Sequence, residues 1–505
     1  MKKIYLILAV ASAVLAANSC DKENISSTSR EPMIVKFTAK AADTKTVFGE
    51  AGETSIPVLW EGGENLDVCV NEHASAAVQN EVYVQVPEEG TPSSTATWNY
   101  DFSKYYGVGS VTYVPTAPYT FYAFYPGDHM RAFHNTTSGK AHGIKIESLP
   151  SEQNPEVNSC DPKAMFLCSV SDTYQTWPEN VTMSDFVHMT AYGCITLGTG
   201  IPDTDKVRKV TVTANEGQYL AGTGWYYYAG ENKGTWDHYD GPTGLAPTET
   251  LILNTSAKEN IWFGCRPTTA LTSLTFGVYT DKGYYEVTKE LENKNFVAGV
   301  VAKMTVNGFT KQTKIINYVW ATTNCEVATN SSKTIPYYTP ENSDGVLVWD
   351  GDVTTQTFME GDPALPWTLS ATVIEGKKGI KGYYIGNDVT YYRLKIGTQD
   401  YGYVNPFILT SSLAGYKVKG ITVWASSAGT NLHTLTAKVG DTVFIDTTTL
   451  GKSEKAVGNT GYEYSGEVET AVSGEVEIKI SAPGTVNTMY LYKILMDLEY
   501  APETE

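Results

Sequence analysis

The chain has 505 residues and carries 56 Asp and Glu against 37 Lys and Arg, a formal net charge of −19. This acidic balance argues against nucleic acid as a partner, because phosphates require Lys and Arg for neutralisation. The length exceeds what one hydrophobic core serves, so we expect two to four domains. The 34 Tyr and 44 Gly, with charged residues at only 18%, favour strands and turns over amphipathic helices. We therefore predict an all-β protein.

The first 20 residues resemble a bacterial lipoprotein signal. Lys2 and Lys3 precede an apolar stretch over residues 4–17, which is too short to span a bilayer. The stretch leads into LAANSC, so cleavage would occur before Cys20, whose thiol would carry lipid. An ordinary secretory signal with an incidental cysteine is the alternative. The acidic DKEN that follows resembles a surface-export signal of Bacteroidetes lipoproteins, and we expect a location outside the outer membrane.

Residues 21–32 are polar and lack periodicity, which indicates a flexible tether.

The first predicted domain, residues 33–175, opens with IVKFTAK, where apolar and polar residues alternate as in a half-buried strand. Trp60 is predicted to pack in the core of this domain. The EGGE sequence from Glu61 to Glu64 is predicted to turn the chain into the next strand, with glycine supplying positive φ. A cation held by the two carboxylates is the alternative.

A second β-sandwich is predicted over residues 176–312, where strand patterns and turn residues alternate. A third is predicted over residues 318–505, where about eight strand patterns favour a jelly-roll or galactose-binding-like sandwich. The last strand pattern predicts one face formed by Tyr490, Tyr492, Ile494, Met496 and Leu498.

Six cysteines follow Cys20, and none forms a CxxC pair. Cys160 and Cys168 are the one close pair that could form a disulfide. Elsewhere we expect buried free thiols in apolar strand patterns, at Cys69, Cys194 and Cys265. The chain has no metalloprotease, nucleophile-elbow or phosphate-loop motif, and its seven His show no metal-ligand spacing. We expect no enzyme activity, no metal and no cofactor.

Four landmarks, in order, resemble those of the Bacteroidales fimbrillin-like proteins, the family of major and minor pilins. They are TKTVFGEAG with VLWEGGENLDVCV, then YAFYP, then LPSEQNPEVNSCDPKAMFLCS, then FVHMTAYGCITLG. The resemblance covers about residues 31–310 and implies two transthyretin-like β-sandwich domains. It also implies cleavage of the exported lipoprotein after an Arg and assembly by addition of a strand from another subunit. Arg30 is the candidate for this cleavage, and a tether Arg without a role is the alternative.

Shaft pilins of this family end soon after the second domain and use C-terminal strands as the donor, whereas about 190 residues follow here. We therefore expect a tip adhesin that accepts a donor strand without offering one, with the third domain as the adhesive head. A lipid-anchored surface glycan-binding protein and a pilus anchor that keeps its lipid are the alternatives. The expected partners are other pilin subunits, the outer membrane through the lipid, and a carbohydrate or a host or bacterial surface protein.

Aromatic and acidic residues of the third domain are candidates for a carbohydrate site, because sugars stack on aromatic rings while polar side chains orient their hydroxyls. The candidates are Trp349, Asp350, Asp352, Trp367, Tyr401 and Tyr403. Packing in a core is the alternative for each aromatic residue. A second aromatic cluster in residues 225–239 is expected either to face a partner or to form a buried strand.

Overall fold

The structure is a computed structural model. It describes residues 33–40, 47–48, 58–71, 81–102, 115–127, 130–133, 142–238, 246–291, 294–321, 353–360, 365–373, 394–396, 404–428, 432–452, 461–481 and 489–502. Over these residues the chain forms β-strands and a short 3-10 helix, Pro162–Ala164, and contains no α-helix. The all-β prediction is confirmed. None of these residues belongs to a helix long and apolar enough to cross a membrane.

The strands follow the alternating and apolar runs of the sequence. In chain order they are β1 Ile34–Lys40, β2 Val47–Phe48, β3 Val58–Leu59, β4 Asn65–Val70, β5 Glu81–Tyr83, β6 Thr95–Asp101, β7 Tyr119–Tyr125, β8 Met130–Phe133, β9 Gly143–Leu149, β10 Glu152–Gln153, β11 Leu167–Tyr174, β12 Asn180–Thr182, β13 Val187–His188, β14 Ala191–Leu197, β15 Val207–Ala214, β16 Gly222–Tyr227, β17 Trp236–His238, β18 Thr250–Leu253, β19 Ile261–Cys265, β20 Ser273–Thr280, β21 Gly283–Glu290, β22 Val301–Val306, β23 Thr310–Gln312, β24 Ile315–Ala321, β25 Val353–Glu360, β26 Leu365–Val373, β27 Leu394–Ile396, β28 Val404–Ser412, β29 Tyr416–Ser427, β30 Thr434–Val439, β31 Thr442–Thr449, β32 Tyr462–Val472, β33 Glu475–Ser481 and β34 Met489–Tyr500.

The strands form eight sheets. Their orders are β12-β1-β6, β10-β18-β15-β20-β21-β23, β13-β11-β7-β4-β5, β19-β14-β22, β17-β16-β9-β8, β2-β3, β24-β34-β29-β32 with β27 also beside β34, and β25-β26-β28-β33-β30-β31. The division into several small sheets, each with an inward face, is that of a multi-sandwich β protein.

The chain divides into two compact units. The first comprises Met1–Leu197, Val210–Phe276 and Thr288–Val306, and the second comprises Gly198–Lys209, Gly277–Val287 and Asn307–Glu505. The predicted boundary at residue 175 falls within a set of paired strands, because β12 lies beside β1 and β13 lies beside β11. The first set of sheets therefore continues beyond that residue.

The core of the first unit includes the predicted half-buried strand β1. Val35, Phe37 and Ala39 are buried and alternate with exposed residues, as the sequence predicts. Phe37 lies opposite Trp98 of β6, and the two rings stack with centroids 5.5 Å apart. Trp60 is fully buried and meets the rings of Tyr125 and Phe186 edge-on, which confirms its predicted place in the core.

The EGGE turn after Trp60 is held by its own side chain. The carboxylate of Glu64 accepts hydrogen bonds from the backbone N–H groups of Glu61, at 2.6 Å, and of Gly62, at 2.8 Å. Gly62 and Gly63 have φ of +91° and +89°, a region that glycine enters without a Cβ clash. This geometry confirms the prediction of a turn built by glycine.

The second unit contains a sandwich of two sheets around one core. Buried residues of the β24-β34-β29-β32 sheet and of the β25-β26-β28-β33-β30-β31 sheet belong to a single hydrophobic cluster. The predicted alternation in β33 is confirmed, since Val476, Ile478 and Ile480 are fully buried. The two inward faces thus follow the period of two that a strand imposes.

Strand β34 lies in the interior of its sheet. It pairs with β24 and β27 on one side and with β29 on the other. Four of the five residues predicted to share its inward face are buried, whereas Tyr490 is only half-buried. The register shifts opposite Trp424 and Ala425 of β29, so Met489 and Leu491 turn inward instead. A bulge of this kind reverses which residues face the core.

Truncation of Ile494 tests the interior position of β34. Its side chain is fully buried between two paired neighbours, so Ile494→Ala should lower the free energy of unfolding by about 2–5 kcal/mol. Glu469→Ala, at an exposed position of β32, is the control and should change it by less than about 0.5 kcal/mol. Urea unfolding of the purified chain measures both, and equal unfolding midpoints would contradict the assigned core.

Candidate functional site

Most of the predicted site residues lie outside the described residues and stay predictions. They are Cys20, Arg30, Trp349, Asp350, Asp352, Tyr401 and Tyr403. Among the sequence candidates for ligand binding, Trp367 alone is described.

Trp367 is a core residue, which corrects its assignment to a sugar-binding surface. Its side chain is fully buried in the cluster of the second unit, and its indole N–H donates to the hydroxyl of Tyr318 at 2.5 Å. The alternation of β26 turns this side chain inward, next to exposed Pro366. A ligand cannot stack on a ring that is enclosed in this way.

The aromatic cluster of β16 also takes the buried form. Tyr226, Tyr227 and Tyr228 are at least nine-tenths buried, and Trp225 is half-buried. β17 and β9 flank β16 in the sheet. These three tyrosines therefore fill the interior instead of presenting an exposed aromatic face to a partner.

A cleft in the first unit is the best-formed candidate site in the described part of the chain. Its volume is about 360 Å³, within the range of roughly 300–1,000 Å³ that ligand pockets occupy. Four segments form it: the loop from 217 to 219 before β16, residues 234–236 at the start of β17, residues 266–269 after β19, and residues 296–298 before β22. Thirteen residues line it, and Arg266 alone among them is charged.

The guanidinium of Arg266 is buried, and one of its nitrogens has no hydrogen-bonding partner in the described residues. The residue is 5% exposed, and its Nη1 is shielded from solvent without an acceptor. The guanidinium carbon lies 5.1 Å from the ring centroid of Trp236 and 5.8 Å from that of Tyr219. These two aromatic faces give the cation its local stabilisation, and they line the same cleft.

Burial lowers the pKa of Arg266 to about 10, while Tyr219 and the carboxylate of Asp237 act in the opposite direction. The group therefore remains a cation at neutral pH. Asp237 accepts a hydrogen bond from the hydroxyl of Tyr227 at 3.5 Å. Its negative charge favours the cationic form of Arg266.

Side chains bonded to the backbone hold the walls of the cleft. The amide oxygen of Gln218 accepts from the N–H groups of Thr269 and Ala270, at 3.1 and 3.0 Å. The hydroxyl of Thr268 accepts from the N–H of Phe296 at 2.9 Å, and the Thr268 N–H donates to the Phe296 carbonyl at 3.0 Å. These bonds connect three of the four segments and fix the cleft before any ligand arrives.

The sequence carries only a weak signal for this site. Trp236 belongs to an aromatic cluster of the sequence. Arg266 directly follows an apolar strand pattern, where a charged residue ordinarily marks the end of a strand. The informative feature is a lone cation closing the run IWFGC, followed by Pro267. Isolated charges at such positions are mostly exposed, so the sequence does not single it out.

The described cysteines are all free and buried, as predicted for Cys69, Cys194 and Cys265. Cys160 and Cys168 are likewise free, and no disulfide joins them. Burial raises the pKa of the Cys168 thiol to about 12 and raises that of Cys160 as well, with Asp161 adding to the latter. Both thiols are therefore protonated and unreactive in the folded chain.

A buried histidine forms the other polar cluster of the first unit. The hydroxyl of Tyr192 lies 2.7 Å from Nδ1 of His188 and accepts from the hydroxyl of Thr190 at 2.9 Å. The hydroxyl of Tyr226 donates to the backbone carbonyl of His188 at 3.2 Å. Burial lowers the pKa of His188 to about 3, so its imidazole is neutral at physiological pH. The cluster joins β13, β14 and β16 inside the core.

No group of three or more His, Cys, Asp or Glu side chains is placed to hold a metal ion within the described ranges. The EGGE carboxylate that could have joined such a site is engaged by its own turn. Within the part of the chain that the structure describes, the cleft around Arg266 places a cation beside two aromatic rings.

No family model matches the chain, and no curated protein matches it. Among solved structures, it is similar to those of three candidate cell adhesion proteins. The one from Bacteroides ovatus is 15% identical, with a TM-score of 0.34 over 56% of this chain and 97% of that chain. Those from Bacteroides fragilis and Bacteroides eggerthii are each 11% identical, with TM-scores of 0.30 and 0.27, covering 56% and 55% of this chain and 98% and 87% of theirs. At these identities and scores the comparisons assign neither a family nor a function.

Alkylation of the folded chain tests the state of Cys160 and Cys168. With iodoacetamide at pH 8 and no reductant, neither thiol should be modified in the native protein, because burial keeps both protonated and enclosed. Both should be modified once urea unfolds the chain, as peptide mass spectrometry would report. A pair that stays unmodified in urea until reductant is added would instead be a disulfide.

The neutral buried His188 should make the protein sensitive to acid. Its pKa is lowered on folding from 6.5 to about 3, so the unfolded chain binds more protons between these values. Stability contributed by the neutral imidazole is then present above pH 6.5 and is lost as the pH falls toward 3, at roughly 1.4 kcal/mol per unit at most. His188→Asn should reduce the fall in urea midpoint between pH 7 and pH 4. An unchanged pH dependence would exclude His188 as its source.

Proposed function

We propose that this chain is a non-catalytic adhesion subunit of a bacterial fimbrium, exported to the cell surface as a lipoprotein and joined to other subunits by strand addition. The sequence supports the proposal through the lipoprotein-type signal ending at Cys20 and the four fimbrillin-like landmarks. The all-β architecture supports it as well, because strand addition requires sheets with edges that can accept another strand.

The interior position of β34 is the observation that carries the proposed tip location. A donor strand must be free of its own sheet before it can complete the sheet of another subunit. β34 is paired along both sides, and its inward residues belong to the core of the second unit. Releasing it would expose that core to water. A subunit built in this way accepts a strand without donating this one, which fits the end of a fibre.

The position of β1 limits what processing at Arg30 can do. β1 begins at Ile34 and pairs with β6 along its whole length, so a cut after Arg30 leaves this strand in the mature chain. On its other side β1 pairs with β12 through only Lys36, Phe37 and Thr38. Within the proposal, the cut releases the lipidated tether, and the incoming strand joins a sheet edge that the retained chain still provides.

A second candidate is a lipid-anchored surface glycan-binding protein. The cleft around Arg266 favours it, since aromatic faces and a cation surround a space that fits a small ligand. The two candidates differ in the fate of the tether. A fibre subunit loses it, and an anchored binding protein keeps it.

The mature N-terminus distinguishes these candidates. In protein recovered from the native cell surface, intact-mass analysis should show a chain that starts at Glu31, and the chain should be found in purified fibres. Arg30→Ala should keep the chain starting at lipidated Cys20 and reduce its incorporation to background. Arg131→Ala, at the next arginine along the sequence, is the matched control and should be processed normally. A wild-type chain that still begins at Cys20 would refute the fibre proposal and leave the anchored one.

A further inference from the structure

We propose that the cleft around Arg266 binds an acidic sugar, a monosaccharide unit whose ring carries a carboxylate. Arg266 would hold the carboxylate, and Trp236 and Tyr219 would contact the ring. This inference goes beyond the fimbrial proposal and does not rest on it, because the cleft is formed wholly by segments of the first unit.

The first argument is the unbonded Nη1 of the buried Arg266. A guanidinium has five N–H donors, and the two on Nη1 meet no acceptor in the described chain, although the residue is only 5% exposed. Burying a cation without a hydrogen-bonded partner is costly. The nearby aromatic rings offset part of that cost, and a ligand carboxylate would offset more through charge-assisted bonds.

The second argument concerns which anion fits. Phosphate carries up to two charges and is usually held by several cations or by a helix N-terminus. The cleft offers one cation, no Lys and no helix end. Asp237 adds a negative charge in its vicinity, which further disfavours a dianion. A single carboxylate matches a single guanidinium in charge, and the planar fork of Arg matches it in shape.

The third argument concerns the rest of the ligand. The aromatic rings of Trp236 and Tyr219 lie beside the cation and remain half-buried, so part of each ring is accessible. Thr235 and Thr269 are exposed at the cleft and carry hydroxyls that can bond to sugar hydroxyls. A volume of about 360 Å³ admits a monosaccharide-sized group and excludes a folded protein segment.

Three probes measure the contributions of the carboxylate and of the sugar ring to binding separately: methyl glucuronoside, methyl glucoside and acetate. The first two share a ring and differ in the carboxylate, whereas acetate supplies the carboxylate alone. Titration of the full mature chain, followed by tryptophan fluorescence and calorimetry, should show binding of the glucuronoside at least about tenfold tighter than that of either other probe. Equal affinity for glucoside and glucuronoside would overturn the role of the charge, and equal affinity for acetate would overturn the role of the ring.

Variants connect the binding to the cleft. Arg266→Met keeps a long apolar side chain under the aromatic rings and removes the charge, so it should weaken glucuronoside binding at least about tenfold. Arg208→Gln, at an exposed arginine of β15, is the matched control and should bind as the wild type does. If Arg266→Met does not fold, Thr235→Trp provides a second test, because a large side chain at this exposed rim should fill the cleft.

Each outcome decides the proposal. Tight glucuronoside binding that is lost in Arg266→Met or in Thr235→Trp supports it. Absence of glucuronoside binding at millimolar concentration would overturn it, and so would binding that both variants retain. Failure of this test leaves the fate of the N-terminal tether unaffected, because that experiment measures processing at Arg30 and not ligand binding.

Discussion

Pairing of backbone groups between strands is the constraint on which this structure depends. Buried N–H and C=O groups need partners, and in the described chain, which has no α-helix, they find them mainly across neighbouring strands. Strand order therefore decides which segments are held by pairing on both sides. β34 is paired on both sides, whereas the loops before β16 and β22 lie outside the sheets and line a cleft.

The period-two patterns made much of the fold predictable. β1, β33 and most of β34 bury the residues that alternation selects, and Trp60 lies in the core before its glycine turn. Alternation failed at Tyr490 because β34 has an extra residue, Tyr492, opposite Trp424 and Ala425 of β29, and the sequence pattern does not show where such a bulge falls. Strand pairing also crosses the predicted boundary after residue 175, and no local signal in the sequence records such pairing.

The candidate site could not be predicted in the same way. Gln218, Trp236, Arg266 and Phe296 come from four separate segments of the chain, and no spacing rule connects them. The proposed carbohydrate residues were chosen for their chemistry, which is the same for a core aromatic and a surface aromatic. Trp367 illustrates this, because its indole has a buried hydroxyl partner that the sequence does not reveal. Site prediction here required the positions of loops, which strand periodicity leaves open.

The pairing of β24 with β34 has a consequence for the order in which the second unit folds. These two strands enclose nearly the whole of the second unit in sequence, since β24 begins at Ile315 and β34 ends at Tyr500. Their sheet cannot close until the later strand has been delivered, and contacts of such long sequence separation form slowly. The second unit therefore completes its core only after β34 has been synthesised, which makes the closing of this sheet a late step in its folding.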